Sequence, residues 1–164
     1  MAIDTFLKIE GIDGESTDEK HKKEIEVLSF SWSVSQPTSA SPSTAGSLSA
    51  ERAQFGDLVI VKAIDKASPK LMEACCSGEH LKSARLEMCR AGGDKEPYME
   101  YKLTDVLVTS VRPGGSGHGE TVPLEEISFA YGKIEWKYTK LNVETGKAAG
   151  AVPGGWDLKL NKKV

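Results

Sequence analysis

Residues 28–35 read LSFSWSVS, with Leu28, Phe30, Trp32 and Val34 at every second position and Ser29, Ser31, Ser33 and Ser35 between them. Side chains alternate across an extended strand, so a period of two predicts one apolar face and one face of hydroxyls. The four apolar residues are expected in the core. Solvated strand faces usually carry Lys, Glu and Thr, as EYKLTD at 100–105 does. A neutral row of serines is a different surface, small and hydroxyl-lined, that the period alone does not explain.

The same period governs the rest of the chain. Strands are predicted over 2–9, 24–35, 55–64, 81–90, 98–111, 122–138 and 156–161, separated by turn-forming clusters such as GIDGEST, RAGGDKEP and RPGGSGHGE. This pattern specifies a mainly β fold, a sandwich or barrel. Two strands change register. Ile25 and Val27 occupy odd positions before Leu28, Phe30 and Trp32 occupy even ones, which calls for a bulge or bend near Val27. Ile127, Phe129 and Tyr131 precede Gly132, while Ile134, Trp136 and Tyr138 follow it on the other parity, so the glycine marks a second bend. One segment breaks the period. In DKASPKLMEACCSGEH, Ser68 can cap, Pro69 fits the first helical position, Leu71, Met72 and Cys75 form a face, and Gly78 can close the end. This short helix is expected to plug one end of the barrel.

A chain of 164 residues suits one domain with a substantial core. Its net charge of -3, with Lys and Glu interspersed, offers no basic stripe for nucleic acid. No apolar run approaches the roughly 20 residues that span a bilayer, so membrane insertion is not expected. MAIDTFLKIE lacks the basic start and apolar centre of a secretory leader, which implies folding in the cytoplasm. Three cysteines, Cys75, Cys76 and Cys89, make a poor disulfide framework.

Candidate chemistry reads mostly as ordinary structure. GGSGHGE at 114–120 lies between two predicted strands and not before a helix, so it reads as a hairpin loop and not a phosphate cradle. His21, His80 and His118 each sit in polar loop sequence without a partner at ligand spacing, and are expected at the surface. Cys75 and Cys76 read as small apolar packing. Adjacent Glu125 and Glu126 face opposite ways on a strand and cannot act together as acid and base. The sequence therefore predicts no catalytic residue, metal or cofactor, and no enzyme.

Residues 36–54, QPTSASPSTAGSLSAERAQ, contain Leu48 as the only large apolar side chain. So long a connection is either disordered in isolation or functional.

FLKIEGIDGES, EIEVLSFSWSVSQ, IDKASPKLMEACCSGEHLKSARLEMCRAGG and LTDVLVTSVRPGGSG occur in this order along the chain. In order and spacing they resemble the hemolysin-coregulated protein (Hcp) family, the tube subunit of bacterial type VI secretion, over residues 1–160. The resemblance implies a single domain over 1–164: a small β-barrel of two packed antiparallel sheets with one flanking α-helix, assembling as a homohexameric ring. It further implies rings stacked into a tube, a spike protein at the tip, a contractile sheath outside, and small effector proteins in the lumen. On that basis Ser29, Ser31 and Ser33 are expected to face the lumen and contact effectors. Loop 36–54 is expected to touch the neighbouring ring, with Pro42, Thr44 and Leu48 as its stacking residues. It departs from a glycine-rich version in carrying Pro37, Pro42 and several serines. Because GWDLKLNKKV closes the sequence, no appended toxic domain is expected. The protein would be cytoplasmic before export and then secreted without a cleaved leader. The alternative from the residues alone is a monomeric barrel binding a small ligand inside, which would need a hollow interior.

Overall fold

The alternating apolar residues between 97 and 141 build the spine of the molecule. In the computed structural model, which describes residues 2–39, 49–119 and 122–164, they form two strands of 18 residues, β10 (Pro97–Gly114) and β11 (Leu124–Leu141), paired antiparallel as a hairpin. Residues 115–119 of GGSGHGE lie between them and form no helix, as expected of a hairpin loop. Before this hairpin come β1 (Ile3–Ile9), β2 (Ile25–Val27), β3 (Ser29–Ser31), β4 (Val34–Ser35), β5 (Thr38–Ser39), β6 (Ser49–Ala50), β7 (Gln54–Phe55), β8 (Leu58–Ala63), α1 (Ser68–Ser77) and β9 (His80–Arg90). After it come β12 (Ala148–Asp157) and β13 (Lys162–Lys163).

Every named strand pair is antiparallel. β9 and β1 add to one edge of β10, and β2 adds to β1. The other edge of β11 is shared: its first half pairs with β8 and its second half with β12. The segment 25–31 then closes the ladder, since β2 lies on β1 while β3 lies on β8. The result is a small barrel of two packed antiparallel sheets, mainly β, with one helix, as the sequence predicts. Its axis is filled by fully buried Leu7, Ile60, Leu86, Leu103, Ile127, Phe129 and Ile134.

Both predicted bends are present. Leu28 interrupts the strand between β2 and β3, and its amide donates to the Val61 carbonyl at 2.8 Å. The second bend falls where Asp105 faces Gly132. Buried residues change parity there on both strands, from Leu103 to Val106 and from Tyr131 to Ile134. Asp105 adopts a left-handed φ of 56°. A Cβ on Gly132 would lie 3.3 Å from the Asp105 carboxylate and 2.9 Å from Lys159 Cε, so a side chain there would have to displace the end of Lys159.

The first strand reading needs correction. Past the break, Leu28 is 64% exposed and Val34 46% exposed, so neither is core. Phe30 and Trp32 pack against the core while remaining partly exposed. The break at Leu28 turns one apolar residue outward, and the chain departs toward the arm by Val34. The strand predicted over 156–161 is also relocated: β12 spans Ala148–Asp157, and 158–161 form a turn. Its small residues, AAGAVPGG, carry no apolar alternation to reveal it.

The predicted loop 36–54 begins and ends as a hairpin. Val34 pairs with Phe55 and Ser35 with Gln54; farther out, Thr38 pairs with Ala50 and Ser39 with Ser49. Pro42, Thr44 and Leu48 lie outside the described residues.

The helix covers one end of the barrel with Leu71 and Ala74 buried, and Gly78 closes it at φ 66°. Its cap differs from expectation. Ala67 holds the N-cap position, and the turn is made by the Asp65 carboxylate accepting from the Ala67 amide at 2.9 Å. Ser68 turns inward instead, donating to Glu125 Oε1 at 2.6 Å. Cys76 is exposed, not packed.

Candidate functional site

β3 and β8 place alternate residues on opposite faces. Leu58, Ile60 and Lys62 point into the barrel and are fully buried, so Val59 and Val61 point outward. The register then aligns Ser31, Val59, Ser128 and Ser110 across β3, β8, β11 and β10. The neighbouring row holds Ser29, Val61, Glu126 and Arg112, whose two charges are of opposite sign. The serine row read from the sequence is thus one margin of a four-stranded outward face whose central row carries no charge. Ser29 and Ser31 are exposed on it.

Ser33 is exposed but is not part of β3. It lies beyond the end of β3 at the root of the arm, where its carbonyl accepts from the Gly56 amide at 2.8 Å. Here Trp32 Nε1 donates to Tyr131 Oη at 2.6 Å, and that hydroxyl donates to the Gly56 carbonyl at 2.7 Å. Trp32 also meets Trp136, Tyr101 and Phe55 at centroid distances of 5.4, 5.9 and 6.4 Å. This aromatic cluster fixes the arm to the barrel. Burial raises the Tyr131 hydroxyl pKa, so it remains a neutral donor.

Two buried polar clusters escaped the sequence reading. Within the barrel, Lys62 Nζ lies 2.5 Å from Glu125 Oε1, 2.7 Å from Asp65 Oδ1 and 3.2 Å from Ser68 Oγ. Glu125 and Lys62 are cross-strand partners, so this ion pair ties β11 and β8 to the start of α1. Glu126, on the opposite face, is exposed, as their adjacency requires.

The second cluster corrects the histidine reading. His21 is 4% exposed, not a surface group, because segment 13–24 folds over the outward side of β1 and β9. Its ring stacks on Phe6 at 4.2 Å and 5°, and Nδ1 lies 2.8 Å from Glu24 Oε2 and 3.5 Å from Glu87 Oε2. Nε2 lies 3.5 Å from Cys89 Sγ. Burial raises the Glu87 carboxyl pKa and pushes the Cys89 thiol up to about 12. Among the described residues, His21, Glu24 and Glu87 are the trio with ligand atoms close enough for a metal. His21 Nδ1 is already engaged by Glu24 and Glu87, which suits a structural cluster. His80 is also partnered, with Nδ1 2.8 Å from Asp105 Oδ1. His118 is exposed in its loop, as expected.

The comparisons with known proteins agree with this architecture. Residues 6–138 match the family profile described as type VI secretion system effector, Hcp. The chain belongs to the Hcp family. Protein hcp1 of Pseudomonas aeruginosa is 39% identical over 162 residues, covering 98% of each chain. The major exported protein of the same organism is 29% identical over 132 residues, covering 76% of this chain and 74% of that one. A solved structure of a type six secretion system protein superposes with a TM-score of 0.94 at 40% identity, covering 99% of this chain and all of the other. The Hcp-family chain is therefore a type VI secretion protein.

Proposed function

We propose that this Hcp-family chain is the inner-tube subunit of a type VI secretion apparatus. Residues 1–164 form one barrel domain, six copies close into a ring, and rings stack into a tube. The observation that carries the reading is the outward face of Ser31, Val59, Ser128 and Ser110, flanked by Ser29. A passage for folded cargo benefits from small hydroxyls that exchange hydrogen bonds with water and add no long side chains to be ordered. Six-fold symmetry would repeat this face around the lumen, where small effector proteins travel. The filled barrel axis favours this reading over an internal ligand chamber.

In this reading segment 36–54, whose two described ends pair with each other, contacts the next ring through Pro42, Thr44 and Leu48. A spike protein at the tip and a contractile sheath outside complete the apparatus. The role is structural, without catalysis, and the protein passes from the cytoplasm to the exterior.

Native mass measurement should find a species of six chains; a clean monomer at high concentration would sink the ring. Ser31→Arg would place six added charges at one level of the lumen. Thermal stability and hexamer mass should remain near wild type, since exposed substitutions usually fall within about 0.5 kcal/mol. Copurification of a small effector should be lost, and undiminished copurification would remove Ser31 from the passage. Shortening 40–48 should preserve rings but abolish stacking and export. Normal export would make the arm a passive linker.

A further inference from the structure

Strand register sets three cations side by side on the barrel exterior. Lys8 on β1 faces Arg85 on β9, which faces Lys102 on β10. Like charges directly opposite one another on adjacent strands are destabilising, so this row works against the sheet carrying it. Within ion-pair distance, carboxylates offset only its middle member. Glu10 lies 3.7 Å from Lys82, and Glu87 is shared between Arg85 at 3.2 Å and His21. Among the described residues, no carboxylate lies within 4.0 Å of the Lys8 or Lys102 ammonium, although Glu135 is next in the row. Arg85 Nε is buried without a well-aligned hydrogen-bond acceptor. The three cations, with Ser83 and Glu10, surround a cavity of about 340 Å³.

We propose that this cavity binds a linear oligophosphate, a chain of phosphoryl groups laid across β1, β9 and β10. The row spans two inter-strand spacings, roughly 10 Å. A point anion could engage one or two of its cations, whereas a chain of phosphate oxyanions engages all three. Arg85 presents a planar fork suited to phosphate, the flanking ammoniums act as mobile point charges, and the Ser83 hydroxyl, which donates a long 3.5 Å bond to Glu10 Oε2, is a donor the ligand can recruit. Bound phosphate removes the repulsion within the row.

The probe is sodium tripolyphosphate, titrated into the assembled protein at low ionic strength by calorimetry and thermal unfolding. Saturable binding should raise Tm by roughly 5–10 °C at a hundredfold excess over Kd. Lys8→Gln/Lys102→Gln should weaken binding at least about tenfold. Without the anion, this variant should be no less stable than wild type, because repulsion has been removed. Lys102→Arg should retain binding, as should Lys137→Gln, which removes a lysine outside the row. Amide shifts on titration should centre on residues 8, 83–85 and 102. Absence of saturable binding, unchanged affinity in the double variant, or equal binding of citrate would each overturn the assignment. Loss of anion-free stability in the double variant would do the same, because it would make the row a structural element.

Discussion

Replacing Lys62 by Met removes the only ammonium from the buried cluster beneath α1 while retaining a side chain of similar length. The Lys62 side chain is fully buried, and Glu125 beside it is 1% exposed, with Oε2 lacking a hydrogen-bond partner. The variant leaves that carboxylate, and Asp65 with it, without the charge that offsets their burial. Breaking a buried pair from one side costs about 3–5 kcal/mol. For a domain of this size the loss corresponds to a fall in Tm of roughly 6–20 °C. Lys62→Met/Glu125→Leu removes both charges and should recover most of that loss, because a packed apolar pair is often neutral or stabilising relative to a buried ion pair. Urea unfolding of wild type, both single variants and the double variant completes the cycle, and the predicted coupling exceeds about 2 kcal/mol. A Lys62→Met protein within about 1 kcal/mol of wild type would refute the claim that this pair holds the helix on the barrel.

At Asp105, where φ is 56°, Asp105→Gly should be more stable than Asp105→Ala by about 1 kcal/mol, because both lose the carboxylate and only alanine retains a Cβ in the left-handed region. Equal unfolding midpoints would contradict this. Asp18 titrates below its ordinary value of 3.8, chiefly through its hydrogen bond from Lys95. Its contribution to stability is present above that unfolded value and lost as pH falls through the lowered folded pKa. Lys95→Gln should return the Asp18 carboxyl resonance toward an ordinary titration and flatten the acid limb of the stability curve, and an unchanged Asp18 titration would count against the pairing.

Most of the barrel was legible because burial imposes a period of two on Ile25 to Val27, Leu58 to Ile60 and Ile127 to Tyr131. The register shifts near Val27 and Gly132 were also visible, since a bend must change the parity of core residues on its own strand. Three features left no such trace. β12 is built from small exposed residues held by pairing with β11, so its backbone ladder has no apolar signature. His21 lies in a polar run, and besides Phe6 and Glu24 it is enclosed by Glu87 and Cys89, 66 and 68 residues away in sequence. Lys62 alternates with apolar neighbours, but its neutralising Glu125 is chosen by a cross-strand register that the local pattern cannot specify. The serine face was half legible: Ser29 and Ser31 stood out, whereas Ser128 and Ser110 join them only through sheet topology.

The central claim is that this neutral face lines a ring. Imaging of the assembled particle by electron cryomicroscopy tests it most directly, since it places the barrel within the assembly. The account predicts six copies around an open lumen with Ser31, Val59, Ser128 and Ser110 on the inner wall and the arm reaching the next ring. A particle with those four residues on its outer surface, or without six-fold closure, would contradict it.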